Sequence, residues 1–405
     1  MKLSVIDACF SINKQSQGLA AMWIEWFAQR AQTKVVPVRD SDVCAVTCVD
    51  PRNWEVCRTI KKKWPHVKPK RVRGQSPSAT RHDFHADAVC DGRRFMAELI
   101  KGGVDAVKHL PETWIRGQDR PVEVAVGFPW DCPPIQAEDG AYRVWCGRGC
   151  KKRCAFCQTG WAMAYEENPN GYQLIRQAKN LIQAGKRIAY LSNDPMQHTF
   201  GKQLPPVQHG SYSLDYMKRY GAPKARQIRL GVEGVSERLR KFVYKPISTD
   251  DLVKASAWLC SLGKSVRWFM IAGLPTEEDG DWEELKDAVT KWKKICHKGV
   301  LAISFTAWQP EPATPLGVMP LDDAYWPRWE SFKKWFFDGD GWSNRVKLMA
   351  PAQPKARLKS AIARMGLDEK TLRAGGQWGP NDRVMYAHKT QRNTIAERML
   401  GTNGR

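Results

Sequence analysis

Three cysteines within eight residues constrain this chain more than any other feature of its sequence. Cys150, Cys154 and Cys157 follow a Cys-x3-Cys-x2-Cys spacing in the segment CKKRCAFC. A cubic four-iron, four-sulfur cluster is ordinarily held by four thiolates, so three would leave one iron open to chelate a small molecule. Cys146 lies four residues upstream of Cys150, and four thiols together are also the ligand set of a structural zinc site. The spacing therefore predicts a metal centre, with a cluster and a zinc ion as the alternatives.

The composition is that of a folded protein. The 405 residues suffice for two domains and an appendage, and 42% of them are hydrophobic. No apolar run approaches the ~20 residues that span a bilayer, and residues 1–7 lack the apolar block of a signal peptide. We therefore expect a cytoplasmic protein without a membrane partner. Its 12 cysteines are expected to be thiols or metal ligands, because that compartment is reducing.

The formal net charge of +22 favours a polyanionic partner. Each phosphate that a lysine or arginine neutralises releases a counterion, so a large basic excess promotes nucleic-acid binding. Basic runs occupy residues 61–63, 68–73 and 151–153. The last run interrupts the cysteine motif and is expected at the mouth of the metal site. The charge predicts a nucleic-acid partner, DNA or tRNA, with a generally basic surface as the alternative.

The first part of the chain alternates apolar stretches with helical patterns. Strands are predicted at 3–10, 33–38, 42–49 and 86–90, and helices at 17–30, 54–64 and 93–100. This alternation predicts an α/β domain with a doubly wound, Rossmann-like parallel sheet. The proline-rich segment 131–134 marks its exit, and we place the domain at residues 1–137.

A second strand–helix series begins near Tyr142. Strands are predicted at 142–146, 187–191, 226–231, 265–271 and 300–306, and helices at 172–184, 249–262 and 282–295, the last with Asp281 as its N-cap. The unit length predicts a partial (β/α)6 TIM-type barrel over residues 138–320. In parallel barrels the chemistry lies at the C-terminal ends of the strands, where Cys150, residues 192–195, Glu233 and Gly273 fall.

Residues 321–405 form a basic, Trp-containing C-terminal extension. It is Trp-rich at Trp326, Trp329, Trp335 and Trp342. Aromatic rings interleaved with cations can stack bases and neutralise phosphates. The alternative is that these rings pack a helix onto the barrel.

Four segments resemble the radical SAM superfamily, in the order and spacing found there. Residues 147–160 are similar to its cluster loop, with an aromatic before the last cysteine. Residues 231–248 resemble the fourth-strand segment, residues 269–279 the fifth-strand signature, and residues 308–316 the proline-rich segment after the sixth strand. The resemblance points to the branch with a cobalamin-binding-like or methylthiotransferase-like N-terminal domain. Phage nucleic-acid hypermodification enzymes are among its members.

The resemblance implies a 4Fe-4S cluster and S-adenosyl-L-methionine (SAM) as cofactors. Cys150, Cys154 and Cys157 would ligate the cluster, and the backbone at Phe156 would approach the adenine. Glu233 would accept from the ribose hydroxyls, and Lys245 would pair with the methionine carboxylate. The contact to the methionine amino group would come from the backbone of Ser192, Asn193 and Asp194, and Gly273 would complete the site. The alternatives are an Asp-Pro turn at 194–195 and surface charges at Glu233 and Lys245.

Auxiliary cofactors in the N-terminal region are not expected. The Asp-x-His-x-x-Gly run of many cobalamin enzymes is missing, since Asp83-Phe84-His85 continues as Ala-Asp-Ala, although some relatives bind cobalamin without it. Cys9 and Cys48 resemble two ligands of a second cluster in methylthiotransferases. The third place, at residues 73–75, has no cysteine, and Cys57 or Cys90 would have to substitute. We interpret these as buried thiols in a scaffold that has lost or altered its auxiliary cofactor.

The resemblance implies an enzyme that cleaves SAM reductively and uses the 5′-deoxyadenosyl radical, with an electron donor such as flavodoxin or ferredoxin. Together with the charge, it predicts the rearrangement or alkylation of a nucleic-acid base or base-attached group. The alternatives are a tRNA or protein methylthiotransferase-like enzyme, a non-catalytic metal-stabilised nucleic-acid-binding protein, and a radical enzyme acting on a peptide or small metabolite.

Overall fold

The computed structural model describes most of the chain between residues 2 and 375. The described ranges are 2–7, 19–47, 55–73, 88–108, 114–115, 130–137, 139–162, 165–192, 194–205, 207, 209–211, 213–214, 217–218, 221–222, 225–311, 314–339, 344–365 and 369–375. Cys9, Cys48, Asn193 and Trp342 lie outside them. The backbone at Cys57 and Cys90 is described, but not the side chains.

The first sheet is built from the N-terminal strands. They are β1 (Leu3–Asp7), β2 (Val43–Thr47), β3 (Lys68–Arg73), β4 (Ala88–Asp91) and β5 (Trp114–Ile115). Strands β1 to β4 are parallel and follow one another in chain order, and β5 is antiparallel to β4. Every residue of β2 is buried, as in strands that are covered on both faces. The predicted parallel α/β architecture is confirmed, whereas the described strands show no reversal of strand order, which a doubly wound sheet has.

Three helices connect these strands: α1 (Leu19–Arg30), α2 (Glu55–Lys63) and α3 (Gly92–Lys108). Trp23 and Phe27 of α1 pack with Phe95 and Leu99 of α3, because residues four apart share one face of a helix. A Gly102-Gly103 pair kinks α3, and Gly103 has a positive φ of 62°.

One prediction for this region is wrong, and one strand was not predicted. Residues 33–38 do not form a strand, because Pro37 caps a short 3-10 turn over Val38–Asp40 and only one bridge, Leu3 to Val35, pairs with β1. Proline lacks the N–H that a continued ladder needs. Conversely, the basic run at 68–73 is strand β3.

A small sheet follows around the cysteine loop. Strands β6 (Ile135–Gln136), β7 (Tyr142–Trp145) and β10 (Ile188–Leu191) form it, with β7 and β10 parallel. The loop after β7 carries β8 (Gly147–Arg148), which pairs with β9 (Glu166–Glu167). Helix α4 (Gln158–Ala162) begins directly after the third cysteine, and α5 (Gly171–Gln183) packs on β7 and β10.

The largest packed core surrounds a second parallel sheet. Its order is β11 (His209–Ser211), β12 (Gln227–Glu233), β13 (Ser265–Ala272), β14 (Val300–Ala307) and β15 (Val346–Met349). Helices α6 (Glu237–Phe242), α7 (Thr249–Ser261) and α8 (Asp279–Ile295) connect the strands. Hydrogen bonds between described residues leave this sheet separate from the β6–β7–β10 sheet. The parallel strand–helix series is confirmed, whereas a continuous barrel is not seen among the described strands.

Helix α8 begins earlier than its sequence indicates. It starts at Asp279, and the carboxylate of Asp281 accepts the backbone N–H of Glu278 at 2.8 Å. The predicted N-cap role of Asp281 is therefore wrong by one turn. Asp281 is buried and also accepts from Ser236 and Arg238, which ties the start of α8 to that of α6.

The C-terminal extension is part of this core. Helix α9 (Tyr325–Asp338) buries Trp329, while Trp326 and Trp335 pack partly buried against the core, so the packing alternative holds for these three rings. Strand β15 extends the sheet, and α10 (Pro354–Met365) and α11 (Glu369–Ala374) follow it. The predicted domain limits at 137 and 320 stay predictions. None of the described helices has the length and apolarity that crossing a membrane requires.

Candidate metal and cofactor site

Hydrogen bonds join the cysteine loop to the end of α6 and to the segment that follows β14. Gly149 turns into it with a positive φ of 65°, and the indole of Trp161 donates to the carbonyl of Cys154 at 2.8 Å. Ala155 donates to the carbonyl of Val243, and its own carbonyl accepts from Leu316, each at 3.1 Å. The loop is thus held between the end of α6 and the proline-rich segment after β14.

The three motif thiols influence one another electrostatically. Burial raises the pKa of Cys154 to about 11; Lys245 opposes this shift, while Glu233, Cys157 and Cys150 add to it. Burial also raises the pKa of Cys150, with Cys157 adding to the effect. The donor chemistry of three neighbouring thiols fits an iron–sulfur cluster. Their sulfur atoms do not form a preformed site, since in the described ranges no three His, Cys, Asp or Glu side chains converge closely enough to hold a metal ion.

Cys146 stands apart from this trio. It is fully buried, its Sγ lies 3.9 Å from the carbonyl oxygen of Val144, and it packs with Leu174 and Ile188 beside α5. Burial alone raises its pKa, without a contribution from the other thiols. Cys146 is therefore a core residue, and the arrangement favours three thiol ligands over a four-thiol zinc site.

Glu233 and Lys245 meet beside the cysteine loop. Lys245 Nζ donates to Glu233 Oε1 at 2.9 Å, and both side chains are largely buried. Burial acts to lower the pKa of Lys245, but Glu233, Cys154 and Cys157 outweigh it and raise that pKa. The surface-charge alternative for these two residues is therefore wrong. The two residues form a partly buried ion pair next to the thiols.

Glu233 adopts a backbone conformation that is rare for its residue type. Its φ is 74°, at a register shift where β12 leaves the ladder with β13. A non-glycine residue in this region costs on the order of 1 kcal/mol or more and is often found at a functional site. The bulge aims the carboxylate back over Gly231, where an added Cβ would lie 2.6 Å from Glu233 Oε1 and 2.7 Å from Lys245 Nζ.

The segment after β10 carries the predicted methionine contact. Asp194 accepts the N–H of Met196 at 3.0 Å as the cap of a short 3-10 turn, so the predicted Asp-Pro turn alternative is present. Its carboxylate also lies 3.7 Å from Lys152 Nζ in the cysteine loop. The Ser192 hydroxyl bonds to His198 Nε2 at 2.8 Å. Both side chains are engaged within the protein, and the carbonyl of Asp194 accepts from the N–H of Gln197 at 3.1 Å.

Gly273 follows strand β13, and Phe156 directly precedes the third cysteine. Gly273 has a positive φ of 76°, and a Cβ there would contact the ring of Tyr325 at 3.0 Å. Its N–H donates to Glu277 Oε2 at 2.7 Å, and its carbonyl accepts from Arg357 at 3.3 Å. Phe156 is half-buried and packs against the main core.

A buried polar network beside the cysteine loop was missed from the sequence. The ring of His198 lies between those of Tyr165 and Phe200, with centroids 5.8 Å and 5.4 Å away. Tyr165 donates to Glu167 at 2.7 Å, so the neutral His198 donates from Nδ1 to Tyr165 at 2.9 Å and accepts from Ser192 at Nε2. Burial lowers the pKa of His198, consistent with a neutral ring. No sequence motif indicated this network, because its members come from separate elements.

The basic run in the loop has partners within the protein. Lys151 Nζ donates to the carbonyl of Gln197 at 3.1 Å and stands 4.5 Å from the centre of the Tyr165 ring. Arg153 stacks on Trp161 at 5.6 Å. Burial acts to raise the pKa of Glu167, but hydrogen bonds from Tyr165 and Thr199 and the charge of Lys151 lower it to about 2. These cations position the loop, and only part of their charge faces outward.

Comparison with known proteins places this fold. No family model matches the chain. A curated relative, an uncharacterized protein of Methanocaldococcus jannaschii, is 28% identical over 209 residues, which are 46% of this chain and 45% of the relative. The chain thus spans about half the length of that relative.

Two solved structures share the architecture. TsrM, a radical S-adenosylmethionine methyltransferase from Kitasatospora setae, whose structure has tryptophan substrate and a SAM analog bound, aligns with a TM-score of 0.57 and 11% identity over 78% of this chain and 75% of its own. OxsB, a cobalamin-dependent S-adenosylmethionine radical enzyme with aqua-cobalamin and SAM bound, aligns with a TM-score of 0.60 and 14% identity over 97% of this chain and 66% of its own. The loops after β1, β2 and β3 lie outside the described residues. The chain has the fold of radical SAM enzymes of the cobalamin-binding branch.

Proposed function

We propose that this protein is a radical SAM enzyme that modifies a nucleic-acid base or base-attached group in DNA or tRNA. The observation that carries the proposal is the convergence of the Cys150–Cys157 loop with the Glu233–Lys245 pair at the C-terminal end of β12. Cys150, Cys154 and Cys157 would hold the cluster. When bound and reduced by a flavodoxin- or ferredoxin-like donor, a 4Fe-4S cluster supplies the electron that splits SAM into methionine and a 5′-deoxyadenosyl radical.

The neighbouring residues would bind and orient SAM. Lys245 offers a cation to the methionine carboxylate, and Glu233 offers an acceptor to the ribose hydroxyls. The backbone around Ser192, Asn193 and Asp194 would accept from the methionine amino group, and the backbone at Phe156 would face the adenine. Gly273 would complete the site from the end of β13, where its missing side chain makes room for the ring of Tyr325. Holding the reacting groups in a fixed geometry and excluding water are the contributions a protein makes to such chemistry.

The basic charge supports a nucleic-acid substrate. The net charge of +22 attracts phosphates through counterion release. The carboxylates that pair with Lys151 and Lys152 are already counted in this net charge, so their pairing leaves the basic excess unchanged. We place the reaction in the cytoplasm, because free thiols persist in a reducing compartment.

The proposal is tested by anaerobic reconstitution with iron and sulfide, followed by SAM and dithionite. We expect about four irons per chain and the release of 5′-deoxyadenosine. Incubation with tRNA or DNA, digestion to nucleosides and mass spectrometry should then reveal one nucleoside of altered mass. Stoichiometric zinc without SAM cleavage would instead identify a metal-stabilised nucleic-acid-binding protein. Cleavage with a modified peptide or metabolite, and no altered nucleoside, would overturn the nucleic-acid part.

A further inference from the structure

The sheet of strands β11 to β15 has one face covered by its helices, and its opposite face lies on the side of the Glu233–Lys245 pair. Side chains alternate along a strand, and the buried set on β12 and β13 points at α7 and α8. Trp268, for example, donates to Ser256 of α7 at 2.8 Å, and Phe305 of β14 stacks on Trp282 of α8. Residues one step along the strands therefore lie on the opposite face, which we call the open face: Gln227, Arg229 and Gly231 on β12, Ser265, Arg267 and Phe269 on β13, Ala302 and Ser304 on β14, and Lys347 and Met349 on β15.

Three cations share one register row on the open face. Arg229 pairs with Arg267, Arg267 with Ala302, and Ala302 with Lys347. Neighbouring strands are about 4.8 Å apart, so the two arginines lie side by side, and Ala302 leaves space between them and Lys347.

Among the described residues, this row has no counter-charges. The Nε atoms of Arg229 and Arg267 are buried without a hydrogen-bond partner. Within the described ranges, neither guanidinium nor the Lys347 ammonium has an ion pair. Buried donors without acceptors are destabilising, and two adjacent like charges repel each other. Such an arrangement is stabilised when an anion binds between them.

An aromatic ring lies one row above the cations. Phe269 pairs in register with Gly231 and Ser304, is half-buried, and belongs to none of the hydrophobic clusters of the described residues. A Cβ on Gly231 would meet Glu233 Oε1 and Lys245 Nζ, so the ion pair of the SAM site overhangs the same face. The open face therefore presents, in order from the thiols, the Glu233–Lys245 pair, a ring and a row of cations.

We propose that the open face binds the target nucleotide, with Arg229 and Arg267 on its phosphate, Lys347 supplementing their charge, and Phe269 stacked on its base. Arginine matches phosphate oxygens bidentately, and base–aromatic stacking tolerates any base. Along β12, Arg229 and Glu233 are roughly 13 Å apart at most, a span that a nucleotide fills. A zwitterionic amino acid with an aromatic side chain fits less well, because its ammonium group would face two arginines.

This inference rests on the proposed function, and it is tested by binding rather than turnover. Equilibrium dialysis of the anaerobically reconstituted full chain would use 5′-mononucleotides, inorganic phosphate, a short single-stranded oligonucleotide and tryptophan. We expect Arg229→Gln and Arg267→Gln each to weaken mononucleotide binding at least tenfold. Phe269→Leu should weaken mononucleotide binding but leave inorganic phosphate binding unchanged. Arg226→Gln is the matched control: Arg226 is exposed just before β12, and its variant removes the same charge with no expected effect.

The outcomes separate the two proposals. Each variant should retain the iron content and the thermal midpoint of the wild type, which shows that it folds. Unchanged nucleotide affinity in both arginine variants, or tighter binding of tryptophan than of any nucleotide, would overturn the nucleotide site while SAM cleavage still stands. Arginine-dependent nucleotide binding without SAM cleavage would overturn the enzyme instead. A mononucleotide that competes fully with the oligonucleotide identifies a single-nucleotide pocket; one that competes weakly identifies a site that also requires the neighbouring backbone phosphates. Both patterns support the inference.

Discussion

Lys245 Nζ lies 2.9 Å from Glu233 Oε1, on a lysine that follows α6 and a glutamate that ends β12. The pair stands over Gly231 and within the electrostatic range of Cys154. Burying part of an ion pair costs desolvation free energy. The presence of this pair therefore suits a site in which each charge also binds a ligand. A ligand that carries both a carboxylate and vicinal hydroxyls would use both charges.

Removal of the lysine charge should weaken SAM binding. We expect Lys245→Met to reduce SAM affinity at least tenfold, about 1.4 kcal/mol, because the carboxylate of the ligand loses its counter-charge and Glu233 loses its partner. Equilibrium dialysis with labelled SAM measures the effect. Lys241→Met is the control, since Lys241 is exposed on α6 and pairs only with the neighbouring turn. Equal affinity of the Lys245 variant and the wild type would contradict the assigned role.

A methyl group at position 231 should disturb the same pair. In Gly231→Ala the new Cβ lies 2.6 Å from Glu233 Oε1, so the ion pair must move. We expect weaker SAM binding and a loss of roughly 1–3 kcal/mol in the free energy of unfolding. Gly280→Ala is the matched control, because nothing lies within 4 Å of a Cβ in that first turn of α8. That control should be neutral or stabilising by about 0.5–1 kcal/mol. Chemical denaturation curves distinguish the two variants.

The separation of Cys146 from the other thiols makes metal content diagnostic. Alanine at Cys150, Cys154 or Cys157 should remove most of the iron after anaerobic reconstitution and abolish 5′-deoxyadenosine release. Cys146→Ala should keep both, with a modest loss of stability from the cavity in its apolar cluster. Iron quantification and the visible absorption of the cluster provide the readout. A Cys146 variant that loses its metal together with the other three would support the four-thiol site.

The free energy of unfolding should fall as pH rises, because of the raised pKa of Glu277. Burial raises the pKa of Glu277 to about 7 from 4.5, although hydrogen bonds from Trp282 and Gly273 oppose the shift. Between these values the folded state binds the proton more tightly than the unfolded state, so this group favours folding at low pH, and that contribution is lost as pH rises through 7. The full effect is roughly 3 kcal/mol. Urea unfolding should give a lower free energy of unfolding at pH 7.5 than at pH 5.5, and Glu277→Gln should reduce this difference. An equal difference in both proteins would refute the prediction.

The buried guanidinium of Arg357 should matter for stability. It donates to the carbonyls of Trp308 at 2.6 Å and Gly273 at 3.3 Å, bonds to that of Asp322, and stacks on Tyr325. Arg357→Leu leaves these buried carbonyls without donors and should cost about 3 kcal/mol. Lys355→Leu, at an exposed position of the same helix, should change the unfolding free energy by less than about 0.5 kcal/mol. Comparable losses of unfolding free energy in the two variants would show that the hydrogen bonds of Arg357 do not stabilise the protein.

Much of the fold follows from local patterns. The strands β1, β2, β12, β13 and β14 and the helices α5, α7 and α8 were predictable within a few residues, because their apolar periods are continuous. Lys68–Arg73 was not predictable, because its four basic residues mask the alternation of apolar and polar side chains that identifies a strand. Its pairing with β2 on one side and β4 on the other makes it a strand. Val346–Met349 was not predicted either, and its pairing with β14 makes it a strand.

The sequence by itself determined the thiol trio and the elements that flank it, because ligand spacing and side-chain periodicity are properties of a short stretch of chain. Only the tertiary structure decided that Cys146 belongs to the core, that Lys245 reaches Glu233, and that Arg229 and Arg267 stand side by side beneath Phe269. These relationships depend on strand register and on a bulge at Glu233, which arise from packing between segments distant in sequence. A one-residue slip of β13 against β12 would move Arg267 and Phe269 to the helix-covered face.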